Sequence, residues 1–371
     1  MVDPVYLDFN ATAAARPEVI EAVAAAMAEG GNASSVHAAG RAARARVEDA
    51  RRAVAALVGA EPGGVIFTGS GTEANNQALR CTGRPRVLVS AIEHESVLGA
   101  RDDAGRIPVG ADGCVDLAAL EAMLAGDDRP AIVSVMLANN ETGAIQPLAE
   151  VVRIARRRGA LVHSDAVQAG GKIPVDMAVL GVDLLSLSAH KMAGPQGVGA
   201  LVMRNPALVG RLIHGGGQER ALRAGTENVP GISGFAVAAR MARAGLDRFA
   251  ALAGLRDGLE AGMRAVDPAV VVFADRVPRL PNTCKVATPG LAAETQVIGL
   301  DLAGVAISAG SACSAGKIEA PSVLTAMGVA EALARCAVRV SLGWSTTGAH
   351  IDAFLAAWRT LRMRALGATA E

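Results

Sequence analysis

Aromatic residues are nearly missing from this chain. Two Trp, one Tyr and six Phe amount to 2% of 371 residues. A core without large rings must be built from Ala, Val, Leu and Ile, which suits helices laid on a parallel sheet. An excess of either charge is also missing, since 36 Lys and Arg balance 36 Asp and Glu. A neutral chain lacks the basic face expected of a protein whose main partner is nucleic acid or an anionic membrane. No apolar run approaches the length of a membrane span. Cysteines are few: Cys81, Cys114, Cys284, Cys313 and Cys336, odd in number and with no Cys-x-x-Cys. That pattern excludes a cysteine-rich zinc site, so no metal is expected, and it fits a reducing compartment and a cytoplasmic location. The opening residues, Met1-Val-Asp-Pro-Val-Tyr-Leu-Asp8, put acids where a signal peptide is basic. Hydrophobic residues at 51% mark a globular chain, and its length allows two domains.

What is present is an alternation of short apolar runs and helical segments from about residue 65 to 203, the pattern of a parallel, doubly wound sheet. Several of the runs end in polar residues. Residues 65–68 lead into Gly69-Ser70-Gly71-Thr72 and a helix. A strand, a glycine turn and a helix N-terminus expose free backbone N–H groups to an anion, although Thr72 could equally be a plain N-cap. The run at 86–90 stops before His94, a position suited to proton transfer and also common for a loop histidine without a role. The run at 131–137 stops at Asn139-Asn140, that at 160–163 at Asp165 and Gln168, and that at 184–188 at Ser188, His190 and Lys191. A carboxylate such as Asp165 at the end of a buried strand needs a partner; a protonated pyridine nitrogen is one, and an arginine or a helix cap is the ordinary alternative. Lys191 at the end of such a strand can lose its proton by desolvation and act as an amine nucleophile, where most lysines are solvated surface charges. The convergence of these polar stops on one sheet edge reads as an active site.

Further on, residues 214–228 are glycine-rich, polar and patterned, as in segments that reach across a dimer interface. A long helix is expected over about 231–266, leading to a smaller C-terminal part of mixed strands and helices. That part contains Ser308-Ala309-Gly310-Ser311-Ala312-Cys313-Ser314-Ala315-Gly316-Lys317, a loop of small residues around one cysteine. Small neighbours leave a thiol accessible, the profile of a nucleophile. The other four cysteines read as structural or incidental.

Taken together, Tyr6-Leu-Asp-Phe-Asn-Ala-Thr12, Thr68-Gly-Ser-Gly-Thr-Glu-Ala-Asn-Asn76, Asn139-Asn-Glu-Thr-Gly143, His163-Ser-Asp-Ala-Val-Gln168, Ser186-Leu-Ser-Ala-His-Lys191, His214-Gly-Gly-Gly-Gln-Glu-Arg220, Gly225-Thr-Glu-Asn228 and Ser311-Ala-Cys-Ser314 resemble the cysteine desulfurases, pyridoxal-phosphate enzymes of the class V aminotransferase group. The resemblance spans nearly the whole chain. It implies an α/β fold of the fold-type I pyridoxal-phosphate transferases, mainly a parallel sheet in a large domain (residues 12–245), with a smaller α+β domain (residues 1–11 and 246–371) that carries the cysteine loop. It implies that pyridoxal 5′-phosphate is held covalently by Lys191, that Asp165 faces its pyridine nitrogen and Gln168 its phenolic oxygen, and that His94 stacks on the ring and shuttles protons. Gly71, Thr72, Ser188 and His190 would cradle the phosphate, with Thr226 contributed by a second subunit. Asn140 would sit beside cofactor and substrate, and Arg339 would grip the substrate carboxylate. Cys313 would take the sulfur of L-cysteine as a persulfide, leaving L-alanine, and pass it to an acceptor protein. An iron–sulfur scaffold is one such acceptor, with Cys313 able to ligate the cluster on docking. A selenocysteine lyase or another class V enzyme is the alternative. The chain departs from the family pattern at Met192-Ala193, where Phe-Tyr is usual, and at Phe9 and Ala33. These departures touch the substrate channel and the docking surface rather than the chemistry.

Overall fold

The apolar runs become strands buried on both faces, because helices cover each side of the sheet they form. The computed structural model describes residues 4–310 and 322–368. Its strands are β1 (Val5–Tyr6), β2 (Val65–Thr68), β3 (Arg86–Ser90), β4 (Gly105–Ile107), β5 (Ala131–Ser134), β6 (Leu161–Asp165), β7 (Leu184–Ser188), β8 (Gly199–Met203), β9 (Val271–Val272), β10 (Thr283–Ala287), β11 (Val305–Ala306) and β12 (Ala337–Ser341). Seven of them form one sheet in the order β2-β8-β7-β6-β5-β3-β4. It is parallel except at β8, which runs antiparallel to both β2 and β7. The doubly wound parallel pattern therefore ends one strand early. The turn at Gly194 to Gly197 after Lys191 is too short for a crossover, so the chain folds straight back along β7.

One face of this sheet packs on helices Ala38–Leu57, Leu148–Arg157 and Val229–Ala244, the other on helix Gly71–Arg80. A second sheet, β12-β10-β9, is antiparallel. It packs with helices Leu252–Val266 and Gly348–Ala368 around Phe354 and Trp358. The two short strands β1 and β11 pair in parallel, which ties the start of the chain to this second sheet; Phe9 N–H also donates to the Ser341 carbonyl at 3.2 Å. The single helix expected over 231–266 is broken into Val229–Ala244, Leu246–Ala250 and Leu252–Val266. Gly245 caps the first piece, donating back to Met241 O and Ala242 O, and the first helix ends there. No described helix is long and apolar enough to cross a membrane.

Candidate active site

The C-terminal ends of β3, β5, β6 and β7 open on one cavity of about 590 Å³. It is lined by Gly71, Thr72, His94, Asn140, Asp165, Gln168, Ser188, His190, Lys191 and Arg339, ten of the twelve residues singled out from the sequence. Thr226 is exposed and does not line the cavity. Cys313 lies outside the described residues, although Gly310, three positions before it, lines the cavity.

Each polar group arrives by a local device. Ser70 caps helix Gly71–Arg80, its Oγ accepting from Glu73 N–H at 3.1 Å. The N–H groups of Gly71 and Thr72 precede the first intrahelical bond, from Ala74 N–H to Ser70 O, so they are left for an anion. A glycine is required at position 71: a Cβ there would lie 2.8 Å from Val167 Cγ2 and 3.4 Å from Ser188 Cβ. Val167 and Ser188 thus pack close against this helix end, with His190 on the same cavity wall. His190 Nδ1 lies 3.2 Å from Thr12 Oγ1, and burial lowers the ring's pKa to about 4, helped by the nearby charges of Lys191 and Lys172.

Asp165 closes β6. Its Oδ1 accepts from Val167 N–H at 2.9 Å and its Oδ2 from Asn75 Nδ2 at 2.7 Å. No cationic side chain pairs with it among these contacts, so the carboxylate offers a lone-pair face to a protonated ring nitrogen. Lys191 Nζ donates to the carbonyls of Asn10 and Ala11 at 2.6 and 2.8 Å. Arg339 is 2% exposed. It donates to Asp8 Oδ1 at 2.7 Å and Asn140 O at 3.1 Å, while its Nε–H, also buried, has no partner. An unmet buried donor on a fixed guanidinium is what a substrate carboxylate would satisfy. A phosphate cradle, a carboxylate for a ring nitrogen, an amine and a fixed guanidinium around one cavity fit pyridoxal 5′-phosphate carrying an amino acid.

Four residues to which the sequence reading gave no role turn out to organise the site. Asn10, buried, accepts at its carbonyl from Lys191 Nζ and Gln168 Nε2 and at Oδ1 from Lys172 Nζ and Asn282 Nδ2. It is a hub because the N-terminal segment passes between the two sheets. Lys172 is buried beside Gln168, donating to its Oε1 at 2.7 Å, which fixes the Gln168 amide with its nitrogen on the Asn10 carbonyl at 3.0 Å. Burial, reinforced by the positive charges of Lys191 and Arg339, lowers its pKa well below the usual lysine value. A lysine in the otherwise small and apolar stretch after Gln168, four positions on, was the signal available in sequence. Glu141 and Lys285 form a buried ion pair at 2.9 Å, and Lys285 Nζ also donates to Ala309 O at 3.0 Å. That pair fastens the chain just ahead of Gly310, where a Cβ would fall 2.4 Å from the Lys285 amine. Met192 and Ala193 line a small separate cavity of about 40 Å³ beside Lys191.

Glu93 also lines the main cavity and is 3% exposed. Its Oε1 accepts from Ser90 Oγ–H and Met136 N–H at 2.6 and 2.7 Å, whereas Oε2 has no partner. Burial raises its pKa to about 8, against partial relief from those two bonds. The folded state therefore keeps a proton between the unfolded value and about pH 8 that the unfolded chain releases, and stability falls as pH rises through that window. Glu93→Gln keeps the accepting oxygen and removes the titration. It is expected to gain stability relative to the parent by about 1.4 kcal/mol for each pH unit crossed, a few kcal/mol at most. Urea denaturation of both proteins at about pH 5 and about pH 8.5 checks this.

The sequence profile of the family Aminotransferase class-V matches residues 5–354. A cysteine desulfurase of Cereibacter sphaeroides is 43% identical over 369 residues, covering 95% of this chain and 94% of that protein. The solved NifS-like protein of Rickettsia africae superposes with a TM-score of 0.90 at 35% identity, over 97% of this chain and 99% of the other. SspA, solved in complex with cysteine, superposes with a TM-score of 0.77 at 28% identity, over 91% and 98% of the two chains. The fold and the site thus define a pyridoxal-phosphate enzyme, and the chain belongs to the class-V aminotransferase family. Within that family its activity is that of a cysteine desulfurase.

Proposed function

We propose that the chain converts L-cysteine to L-alanine and carries the sulfur away as a persulfide on Cys313. The observation that supports this most is the meeting of Asp165, Lys191 and Arg339 around one cavity whose lining includes Gly310, next to the cysteine segment. Pyridoxal phosphate supplies an electron sink for negative charge at the substrate α-carbon. Around it, Gly71, Thr72, Ser188 and His190 hold the phosphate, and Thr226 completes the cradle from across a homodimer interface. Asp165 holds the proton at the pyridine nitrogen. Gln168 donates to the phenolic oxygen, and Asn140 borders the substrate. Arg339 orients the substrate carboxylate, and Lys191 moves the proton at the α-carbon. The Cys313 thiolate then attacks the substrate sulfur and the carbon–sulfur bond breaks. Its electron pair stays with the three-carbon fragment, which takes up protons and leaves as alanine. The sulfur stays on Cys313 and passes to an acceptor protein, for which an iron–sulfur scaffold is our choice, in the cytoplasm. We also assign residues 12–245 to a large domain and residues 1–11 and 246–371 to a small one that carries Cys313.

The test is incubation of the cofactor-loaded protein with L-cysteine and a reductant. Alanine and sulfide in equal amounts are expected. Product that appears only with selenocysteine would mean a selenocysteine lyase, and product that requires an added keto acid would mean an aminotransferase.

A further inference from the structure

We propose that Asn75 and Ser96 are positioning residues that set the tautomer of His94, so that this ring presents an N–H donor, not a base, to the cavity. The direction of every hydrogen bond in the chain of contacts follows from donor counting. Asp165 Oδ2 is a carboxylate oxygen and only accepts, so the group of Asn75 that lies 2.7 Å from it is the amide NH2. The same Nδ2 lies 2.9 Å from Ser96 Oγ. Its second hydrogen goes there, and Ser96 Oγ accepts. A hydroxyl has one hydrogen to give, and the remaining neighbour of Ser96 Oγ is His94 Nδ1 at 2.8 Å. That hydrogen therefore points at Nδ1. Independently, the backbone N–H of Ser96 points at the same Nδ1 at 3.1 Å, and a backbone N–H can only donate. Two donors converge on one ring nitrogen, so Nδ1 carries no hydrogen. The neutral imidazole then holds its proton on Nε2.

Asn75 and Ser96 are both buried, and both line the cavity with His94 and Asp165. The two groups that would flank the cofactor ring are thus linked through Asn75, which donates to both Asp165 and Ser96, and through Ser96, which donates to His94. The cost is visible: with the amide turned so that its NH2 serves Asp165 and Ser96, Asn75 Oδ1 is left buried with no donor facing it. With Nε2 already protonated, His94 donates a hydrogen bond to a sulfur or oxygen of the substrate. It cannot receive the Cys313 proton at that nitrogen without first releasing its own.

This rests on the proposed places of His94 and Asp165 in the site, but the tautomer can be read without turnover. Uniform 15N labelling of histidine in the cofactor-free protein, with the His94 signals assigned by their loss in His94→Gln, reports which ring nitrogen is protonated at neutral pH. A protonated Nε2 and a bare Nδ1 are expected, with Ser96→Ala and Asn75→Ala each shifting the population toward the other tautomer. In the loaded enzyme Ser96→Ala is expected to lower kcat about tenfold with KM unchanged. A parent ring protonated at Nδ1, or a population unmoved in both variants, overturns the proposal. If Asn75→Ala fails to fold, Ser96→Ala decides alone. Absence of desulfurase activity in the parent would defeat the functional reading and leave the tautomer result standing.

Discussion

Cys313→Ser is expected to stop both alanine and sulfide release from L-cysteine, by at least about a thousandfold, while the protein still takes up its cofactor. The hydroxyl that replaces the thiol is a far weaker nucleophile toward sulfur and remains protonated at neutral pH. No other described cysteine can stand in. Burial raises the pKa of the Cys81 and Cys114 thiols, and that of Cys284 lies well above the ordinary value for the same reason. Cys336 is buried, with its Sγ 3.3 Å from Ala332 O. None of the four lines the main cavity. The check is a parallel assay of alanine and sulfide, with cofactor content measured by absorbance. Full sulfide release from the variant would remove Cys313 from the reaction.

Lys191→Ala is expected to cost more, about 10⁴-fold or beyond, because both roles proposed for this lysine, the covalent hold on the cofactor and the proton transfer at the α-carbon, disappear together. Lys172 is the nearest other amine in this network, but it is buried and bonded at 2.7 Å to both Asn10 Oδ1 and Gln168 Oε1, so it is not free to replace Lys191. Borohydride reduction followed by mass measurement should fix cofactor to the parent at Lys191 and leave none on the variant. Because the phosphate cradle proposed for Gly71, Thr72, Ser188 and His190 is untouched by the substitution, the variant should still bind pyridoxal phosphate reversibly. A variant that keeps a covalent adduct would show that the lysine assignment is wrong.

Much of this site could be read from the chain because strands deliver functional groups at predictable places. Asp165 and Lys191 follow apolar runs directly, and a run that is buried on both faces must end where polar residues begin. Gly71 was legible for the same reason, as the residue at a strand-to-helix turn. Asn10 was not, since nothing in the local sequence says that a segment near the N-terminus will pass between two sheets and carry four hydrogen bonds into the site. Asn75 and Ser96 were also silent. One sits in a helix and the other begins a short one, and neither position shows a periodicity that sets it apart from a surface polar residue. The interruption at Gly245 was missed because an alanine-rich amphipathic pattern continues across it, and a single glycine does not by itself announce the end of a helix.

The sequence by itself determined the class of chemistry, since the order of its motifs and the residue types within them are properties of the chain. It also determined the mainly parallel sheet, through apolar runs spaced by helices. Only the tertiary structure decided which groups touch. The paired lysines around Asn10, the burial of Glu93 against Met136 and the contacts that link Asp165 through Asn75 and Ser96 to His94 join residues far apart in sequence. Hydrogen-bond direction and desolvation depend on distance and burial, and those exist only once the chain has folded.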